Sequence, residues 1–508
     1  MRIIHFIIII WVLSFFCEDV FASHGHTKHQ HKRSHYVASH NYQRHSPVVY
    51  APSSIIGESA LANEINNLLQ STNSEVDVGV YVKSMKYGNS LYTKNVDHSF
   101  VPASVMKVLT AEAALLYMGP EYRFPTTMIT DAKTINNGVL QGNLYILQSG
   151  DPTLTYYDLA DLMVKLKSQQ ILAIAGNVYI DTTAYDEATY GPGWLVKDKK
   201  YCYAAPISAS IINHNCISFQ LTPARASGVP ANIIVSPRYY YPNIRNNVIT
   251  RSSGTRSCFL SLNTLPGSTL SLNGCMPKGR YAWGVSYVVT DIPEYNRLLF
   301  QNLFQRFGVR IYGHLLLGSA PSADLPIIAT HQSKPLRSMI NEMLKKSDNV
   351  IAGALFKKLG QLFTQQPGSW QNGSLAVTQI LSQRTNLNPS GIRVVDGSGL
   401  SRDNRLTPAQ MMQVLDYAFH HYGTSYEFIS SLPISGIDGT LKYRMSNITR
   451  KVRAKTGSMK GVISLAGYAM NANKEPLAFV IMINGNGGGW QYKELEDKIA
   501  TVLTRYRA

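Results

Sequence analysis

Acidic residues, cysteines and long apolar runs are all scarce in this chain of 508 residues. Only 31 aspartates and glutamates stand against 48 lysines and arginines, which gives a formal net charge of +17. The sequence also lacks a recognition helix, a zinc-finger spacing and an aromatic–basic platform, so a nucleic-acid partner is disfavoured. The excess of positive charge favours contact with anionic lipid or anionic wall polymers of a bacterial envelope. Beyond residues 3–16, no run is long and apolar enough to span a membrane.

The first 22 residues have the pattern of a secretory signal peptide. Arg2 precedes the apolar run over residues 3–16, and Ala22 supplies a small residue for cleavage before Ser23. As a helix this run reaches about 21 Å, short of the ~30 Å core of a bilayer, so cleavage is favoured over an uncleaved anchor. We therefore predict export to the periplasm, with peripheral membrane association left open.

Residues 23–54 hold seven histidines among polar residues and show little apolar periodicity, which indicates a disordered tail. Metal binding is one interpretation of these histidines. A solvated tail that gains charge below about pH 6.5 is the simpler interpretation and is favoured. Folded sequence starts near residue 55, and we expect no cofactor and no metal.

Five cysteines are present, and cleavage of the signal peptide would remove Cys17. The spacing of the other four fits no familiar zinc motif. An even number in an exported chain predicts disulfides. Pairing of neighbours, Cys202 with Cys216 and Cys258 with Cys275, closes two short loops and is favoured, although the sequence leaves the other two connectivities open.

The most apolar helical pattern begins at Ser104 and runs to about Met118, where Gly119 and Pro120 end it. It leaves almost no polar face, which predicts a helix in the middle of a domain. Ser104 and Lys107 are one turn apart and therefore side by side. A serine here can act as a nucleophile, because the amine takes its proton and the helix end stabilises the oxyanion. By itself the pair is a weak signal, since serine is also a common N-cap.

Length and pattern predict more than one domain. Helix and strand patterns alternate up to about residue 123, and helical patterns over 335–344 and 349–359 are followed by one over 409–419. Between them, strand patterns dominate and include single strands over 139–147 and 174–180. We predict an α/β fold in which strand-rich insertions interrupt a domain with an antiparallel sheet.

Three short motifs stand in a fixed order along the chain: Ser-Val-Met-Lys at 104–107, Ser-Asp-Asn at 347–349 and Lys-Thr-Gly at 455–457. Each is common alone. The first opens a helix, the second lies between two predicted helices, and the third lies on a predicted strand before a tight turn. Together, in this order and in these settings, they are the signature of enzymes that react with penicillin through a serine.

On these motifs the chain resembles the bacterial D-alanyl-D-alanine carboxypeptidases/endopeptidases, the low-molecular-mass class C penicillin-binding proteins. The 240 positions between Lys107 and Ser347 are similar to the insertions of that family. Further segments that look like the family's are 150–154, 192–194, 345–349, 396–401 and 438–441. The resemblance covers about residue 61 to the C-terminus.

The resemblance implies a serine transpeptidase/β-lactamase-like domain, with an antiparallel sheet flanked by helices and a helical lobe. This catalytic domain would comprise residues 55–123 and 323–508. One inserted domain would comprise 124–205 and 285–322, and a second would comprise 206–284.

It further implies that Ser104 attacks the scissile carbonyl of a peptidoglycan stem peptide or cross-link, forming an acyl-enzyme that water hydrolyses. β-Lactams would acylate the same serine as covalent inhibitors. Lys107 would be the base, with its pKa held below the ordinary ~10.4 by burial and by the charge of Lys455. Ser347 would relay a proton to the leaving amine. Backbone N–H groups of Ser104 and Ser458 would form the oxyanion hole.

Other residues would bind the substrate. Asn349 would hold its peptide group, and Lys455 with Thr456 would bind its terminal carboxylate. Gly457 would let its backbone lie against the strand. The family's acidic residue in the insertion maps to Asp198, which would pair with the free amine of a diaminopimelate side chain. For Asp198, a solvated loop charge is an equal alternative.

Two other functions stay open. A serine β-lactamase needs fast deacylation, which class A enzymes achieve with a Glu-x-x-x-Asn loop between the second and third motifs. Here the only glutamate between Ser347 and Lys455 is Glu427, and Ser431 stands four positions later. A non-catalytic wall-binding or β-lactam-sensing protein would keep the pocket without turnover, which the complete motifs disfavour. The expected partners are peptidoglycan stem peptides and β-lactams, and the oligomeric state stays open.

Overall fold

The computed structural model describes residues 56–70, 75–236, 243–253, 258–265, 269–279, 282–486 and 489–507. The predicted signal peptide, 1–22, and the histidine-rich tail, 23–54, lie outside these residues. The helices of the described residues are α1 (Glu58–Gln70), α2 (Met106–Met118), α3 (Tyr156–Ser168), α4 (Ile292–Phe307), α5 (Leu336–Lys346), α6 (Asn349–Thr364), α7 (Trp370–Thr385), α8 (Pro408–His420), α9 (Ser425–Ser431) and α10 (Gly489–Leu503).

The strands of the described residues form five sheets. In chain order they are β1 (Val76–Ser84), β2 (Ser90–Lys94), β3 (Pro125–Thr130), β4 (Ile135–Asn136), β5 (Val139–Leu140), β6 (Leu144–Gln148), β7 (Ala173–Ile174), β8 (Val178–Asp181), β9 (Cys216–Thr222), β10 (Asn232–Ser236), β11 (Asn243–Arg251), β12 (Leu260–Leu265), β13 (Thr269–Pro277), β14 (Trp283–Val288), β15 (Arg310–Ile311), β16 (Leu315–Leu317), β17 (Ile327–Gln332), β18 (Val452–Met459), β19 (Val462–Met470) and β20 (Pro476–Gly485).

A five-stranded antiparallel sheet, ordered β18-β19-β20-β1-β2, joins the two ends of the described chain. Its central strands are buried at nearly every position, because helices cover both faces. Helices α1 and α10 pack on one face through a shared apolar cluster that includes Leu61, Ile65 and Ile499. Helices α2 and α8 pack against the other face. The predicted antiparallel sheet flanked by helices is therefore confirmed.

Helix α2 lies at the centre of a helical lobe and contacts α5, α6, α7, α8 and α9. All its residues from Met106 to Leu115 are buried, including the polar Lys107, Thr110 and Glu112. Gly119 ends the helix with a positive φ of 78°, which favours glycine. The prediction of a helix in the middle of a domain is confirmed.

The chain between β2 and α5 is rich in strands, as predicted. In the described residues it forms the sheets β10-β9-β14, β11-β13-β12, β15-β7-β5-β4 and β16-β8-β6-β3-β17. One apolar cluster includes Leu162 of α3, Phe300 of α4 and Phe219 of β9, so both predicted insertions share a core. The boundaries of the inserted domains stay a prediction.

Two strand predictions were wrong in the same way. The segments 139–147 and 174–180 each form two strands rather than one, with breaks at Gly142 and Gly176. At each break the chain leaves the four-stranded sheet and enters the five-stranded sheet of β6 and β8. A Cβ at Gly142 would crowd the backbone of Ala132, and one at Gly176 would crowd the backbone of Gly142. The glycines allow the two sheets to approach closely, which apolar periodicity does not reveal.

Helix α7 was not predicted. It packs on α6 where Gly373 faces Phe356 and Gly360 faces Asn372, too close for a Cβ on either glycine.

The two disulfides are Cys202–Cys216 and Cys258–Cys275, as favoured from the sequence. Within the described residues, no helix combines the length and hydropathy that crossing a bilayer requires.

Candidate active site

Ser104 lies in a 3-10 turn, Ala103–Val105, that leads directly into α2. The preceding residue, Ala103, has φ of 49°, a left-handed conformation that residues with a Cβ rarely adopt. Gly399 lies so close to the Ala103 carbonyl that a Cβ would overlap it. Ser104 is half-buried, whereas its neighbours on both sides are buried. The turn therefore leaves this serine partly exposed at the start of a buried helix. We call the region around it, where the three motifs meet, the cleft.

Lys107 is completely buried, and its amine contacts three oxygen atoms. Its Nζ lies 3.0 Å from Ser104 Oγ, 2.6 Å from Asn349 Oδ1 and 2.6 Å from the carbonyl oxygen of Ser398. A neutral amine has two hydrogens and one lone pair. The amide and carbonyl oxygens can accept both hydrogens, which leaves the lone pair for the proton of the serine hydroxyl.

Burial lowers the pKa of Lys107 to about 7, although the carboxylates of Asp396 and Asp348 act to raise it. The pKa of Lys455 is held well below its ordinary value, first by burial and then by the charge of Lys107. Burial is thus the main cause at both lysines. The charge of a second cation lowers the pKa of Lys455 only, so the predicted effect of Lys455 on the pKa of Lys107 is not found. A substantial fraction of Lys107 is neutral near pH 7, as a base requires.

The second motif is a turn between α5 and α6. Ser347 ends α5 in a left-handed conformation with φ of 58°. Asp348 caps α6, because its Oδ1 accepts a hydrogen bond of 2.9 Å from the backbone N–H of Ile351. Asn349 is the first residue of α6, and its Nδ2 donates to the carbonyl oxygen of Tyr203 at 2.8 Å. Its amide group therefore bridges Lys107 and the insertion.

The third motif lies on β18, the edge strand of the sheet. Lys455 is completely buried and donates to Ser347 Oγ at 2.9 Å and to its neighbour's carbonyl, Thr456 O, at 2.7 Å. The Thr456 hydroxyl donates to Thr440 Oγ1 at 2.8 Å. Ser458 is exposed.

Gly457 serves packing in a way that the sequence did not indicate. A Cβ there would lie 2.8 Å from the Pro102 carbonyl oxygen and 3.0 Å from the backbone nitrogen of Ser104. It would also overlap the hydroxyl of Ser464, which donates to Pro102 O at 2.6 Å. The Cβ direction thus points to the 3-10 turn that carries Ser104. Glycine lets β18 lie directly against that turn.

These contacts bring the three motifs together in pairs: Lys107 with Asn349, Lys455 with Ser347, and Gly457 with Ser104. Segments scattered over some 350 positions of the chain therefore surround one site, as the motifs predicted. Within the described residues, no group of three or more histidine, cysteine, aspartate or glutamate side chains is arranged to hold a metal ion.

Asp396 is a site residue to which sequence reasoning gave no role. Its buried carboxylate accepts hydrogen bonds from the Trp194 indole at 2.6 Å and from the backbone N–H of Gly399 at 2.7 Å. It also accepts from the backbone N–H of Ser401 at 3.0 Å and from Asn404 Nδ2 at 2.9 Å. These bonds shape the loop whose Ser398 carbonyl contacts Lys107. The only sequence signal was the family-like segment at 396–401.

Asp198 lies at the edge of this site, without contact to the three motifs. It ends a 3-10 turn, Val196–Asp198, and is half-buried. Its Oδ1 accepts a hydrogen bond of 3.0 Å from the Tyr203 hydroxyl, and Tyr203 in turn contacts Asn349 through its carbonyl. Burial and then this carboxylate raise the pKa of Tyr203. Tyr203 therefore connects Asp198 to the second motif, a link that sequence reasoning missed.

The sequence matches the model of the D-Ala-D-Ala carboxypeptidase 3 (S13) family over residues 61–506. It is 32% identical over 438 residues to D-alanyl-D-alanine carboxypeptidase DacB of Haemophilus influenzae, which covers 85% of this chain and 90% of that protein. It is 30% identical over 462 residues to a D-alanyl-D-alanine carboxypeptidase of Actinomadura sp. (strain R39), with 88% and 85% covered.

A solved structure has the same fold. The crystal structure of penicillin binding protein 4 (dacB) from Haemophilus influenzae matches with a TM-score of 0.78 at 32% identity, over 87% of this chain and 99% of that one. The structure of that protein complexed with a novel β-lactam matches with a TM-score of 0.74 at 30% identity, with the same coverage of 87% and 99%. The fold class and the resemblance inferred from the motifs are confirmed.

Proposed function

The chain belongs to the D-Ala-D-Ala carboxypeptidase 3 (S13) family and is a serine-type D-Ala-D-Ala carboxypeptidase; we propose that Ser104 is its nucleophile and Lys107 its general base. The observation that carries this assignment is the 3.0 Å distance between Lys107 Nζ and Ser104 Oγ. Two other oxygen acceptors occupy the amine's hydrogens, and burial keeps the pKa near 7.

In the acylation step, Lys107 takes the hydroxyl proton while Ser104 Oγ bonds to the carbonyl carbon of the penultimate D-Ala. The oxyanion binds the backbone N–H groups of Ser104 and Ser458. When the tetrahedral intermediate collapses, the amide C–N bond breaks and a proton passes to the leaving amine through Ser347. The contact between Lys455 Nζ and Ser347 Oγ supports this relay, because an N–H of Lys455 donates to the serine oxygen and leaves the hydroxyl hydrogen free to point at the leaving amine. Water then hydrolyses the ester.

Substrate binding divides between two motifs. The terminal carboxylate binds to Lys455 and the Thr456 hydroxyl, which is half-buried and paired only with Thr440 in the described residues. Asn349 holds the peptide group of the stem. Its amide is already oriented by Lys107 and Tyr203, so little side-chain entropy is lost on binding.

Asp198 provides the specificity for stem peptides that carry a free amine. Its carboxylate has one further oxygen available beside the one that accepts from Tyr203. A diaminopimelate ammonium group would pair with it at the edge of the cleft. Such recognition suits cleavage of cross-links as well as removal of a terminal D-Ala, so endopeptidase activity belongs to the proposal.

The protein acts in the periplasm, since its substrate lies outside the cytoplasmic membrane. The two disulfides support this location, because disulfides persist in oxidising compartments. The signal peptide predicted over residues 1–22 provides the route. The net charge of +17 supports contact with anionic wall polymers.

Labelling with fluorescent penicillin tests the nucleophile. The mature protein is expected to become covalently labelled, and Ser104→Ala is expected to abolish labelling. Ser401→Ala, which changes another serine near the cleft, is the matched control and should still label. Labelling that persists in Ser104→Ala would contradict the assignment.

Digestion of purified muropeptides tests the substrate. Release of D-Ala from pentapeptides, and cleavage of D-Ala–diaminopimelate cross-links, should both depend on Ser104. Asp198→Asn should slow only the substrates with a free diaminopimelate amine. Equal rate losses for substrates whose diaminopimelate amine is free and for those in which it is acylated would contradict the proposed role of Asp198.

A further inference from the structure

A disulfide-closed loop of the insertion holds the second motif at two points. The Cys202–Cys216 bond brings together the two ends of this loop. At one end, the Tyr203 carbonyl accepts from Asn349 at 2.8 Å. At the other end, His214 Nδ1 lies 3.4 Å from Asp348 Oδ2. Asp348 and Asn349 are thus held by residues that lie within two positions of the two cysteines.

The backbone around His214 is fixed in an unusual conformation. Three successive residues, Asn213, His214 and Asn215, have φ of 51°, 59° and 49°. Left-handed conformations are uncommon outside glycine, although asparagine and histidine adopt them more readily than most residues. Such a run persists only where the surroundings hold it. It directs the imidazole across the gap to the catalytic lobe.

Hydrogen bonds on both sides of the histidine supply that support. Asn215 is completely buried, and its Nδ2 donates to Pro206 O at 3.0 Å and to Ser210 O at 3.2 Å. The backbone N–H of Asn213 donates to Leu154 O at 2.9 Å. His214 is therefore placed by rigid neighbours, while its own side chain is 35% exposed.

Asp348 connects this contact to catalysis in two ways. Its Oδ1 caps α6, and so it fixes the turn that carries Ser347 and Asn349. Its negative charge also favours the protonated form of Lys107 and so raises that pKa. A positive charge on the imidazole offsets the carboxylate charge that Lys107 senses.

We propose that His214 is a positioning residue of this enzyme: through Asp348 it holds the second motif, and its protonation favours the neutral form of Lys107. The proposal rests on the proposed role of Lys107 as the base. It means that the insertion shifts the acid limit that the burial of Lys107 sets. The enzyme keeps activity at lower pH than the same catalytic lobe would have without the imidazole.

Other charged groups face His214. Glu342 on α5 interacts with it electrostatically, but Glu342 is paired with Lys346 at 2.6 Å. Asp151, after β6, also interacts with it, and burial raises the pKa of Asp151 to about 6. Asp348 is the partner in contact, with its side chain only 19% exposed. The pair with Asp348 should therefore dominate.

The sign follows from the charges. Histidine gains its proton as pH falls through the range of about 5 to 8. Below that range the charged imidazole offsets Asp348, so more Lys107 stays neutral than in a variant without the imidazole. Above it the imidazole is neutral, and the two proteins should behave alike.

The test is the pH profile of acylation by fluorescent penicillin between pH 5 and 9, with full-length mature protein. His214→Gln should acylate about twofold to fivefold more slowly than wild type at pH 5.5, and equally fast at pH 8.5. His214→Lys should restore the rate at pH 5.5, because its charge is permanent. His314→Gln, which removes an exposed histidine of the same insertion, is the matched control and should leave the profile unchanged.

An Asp348→Ser background separates the electrostatic effect from a merely structural one. Serine keeps an N-cap for α6 but removes the charge. In that background, His214→Gln should have no further effect at pH 5.5. A wild-type profile in His214→Gln would overturn the proposal. So would an equal loss at every pH that His214→Lys does not rescue. Neither outcome affects the labelling of Ser104, which tests the proposed function separately.

Discussion

Buried lysines lie in two regions of this molecule, the cleft and helix α6. Lys107 and Lys455 lie in the cleft, and within the described residues no carboxylate lies in salt-bridge distance of either. Lys357 and Lys358 lie on α6, away from the three motifs. Lys357 pairs with Asp186 at 2.7 Å and also donates to two backbone carbonyls. Lys357, which only supports the fold, has a counter-ion, whereas the acceptors of the cleft lysines are neutral.

Lys358 shows that a depressed pKa alone does not identify a base. Burial lowers its pKa to about 7, as for Lys107. Its amine contacts Gln361 Oε1 at 2.5 Å and the rings of Phe124 and Tyr185, at 5.3 Å and 5.7 Å. Among its contacts in the described residues, no hydroxyl or thiol lies at hydrogen-bond distance from the amine. What distinguishes Lys107 is the half-exposed hydroxyl at hydrogen-bond distance.

The largest effect should come from removing the amine of Lys107, with removal of the Lys358 amine as the comparison. Lys107→Met is expected to slow penicillin acylation by about 10²- to 10⁴-fold, because a positioned base is lost. Lys358→Met should leave the rate within about twofold, since its amine touches no reacting atom. The measurement is the second-order rate constant of labelling at pH 8. Comparable losses of the acylation rate in both variants would contradict the distinction between Lys107 and Lys358.

The next effect is the pH dependence of acylation. With the neutral form of Lys107 as the proposed base and its pKa at about 7, the rate should fall about tenfold per unit below pH 7. Between pH 7 and pH 5 this amounts to about a hundredfold loss. The rate should level off above about pH 8. A profile that is flat between pH 5 and 7 would mean that another group takes the proton.

A stability effect should follow at the paired lysine. Asp186→Asn leaves Lys357 buried without its counter-ion, and Asp186 is 35% exposed, so the free energy of unfolding should fall by about 1–3 kcal/mol. The double variant with Lys357→Met should regain most of the loss. Urea unfolding measures both, and acylation rates should stay unchanged. A stable single variant would show that water replaces the carboxylate.

The smallest effect concerns Lys358 and the pH dependence of stability. Its pKa is about 7 when folded and ordinarily ~10.4 when unfolded, so the unfolded chain binds more protons in between. Stability should therefore rise with pH across that window, by up to about 1.4 kcal/mol per unit from this group. Lys358→Met should reduce the slope between pH 7 and 8 by about 1 kcal/mol per unit. An unchanged slope would contradict the depressed pKa.

The sequence indicated the parts of the site that sit on regular elements. Ser104 with Lys107 follows from helical spacing, and Lys455 from a strand before a turn. The contacts that complete the site could not be derived in this way. The Ser398 carbonyl, the Asp396 network and His214 all come from loops, whose backbone path depends on packing far away in the chain. Of these, only the segment 396–401 was noted in the sequence, because it resembles the family's.

The fold was predicted well where one apolar period dominates and poorly where glycines mediate close packing. Helices α2 and α8 each follow one apolar period and were placed within a few residues. At Gly142, Gly176 and Gly373 the chain approaches another segment too closely for a side chain. In a sequence pattern a glycine indicates a turn or an interruption of an element. A close contact between two segments therefore cannot be predicted from one segment alone.

The disulfide between Cys202 and Cys216 has a consequence for the timing of activity. In a reducing compartment this bond does not persist, and the loop that contacts Asp348 and Asn349 then lacks its covalent closure. Under the proposed export, closure of this loop follows translocation, and the site gains this restraint only in the compartment where the polymer lies.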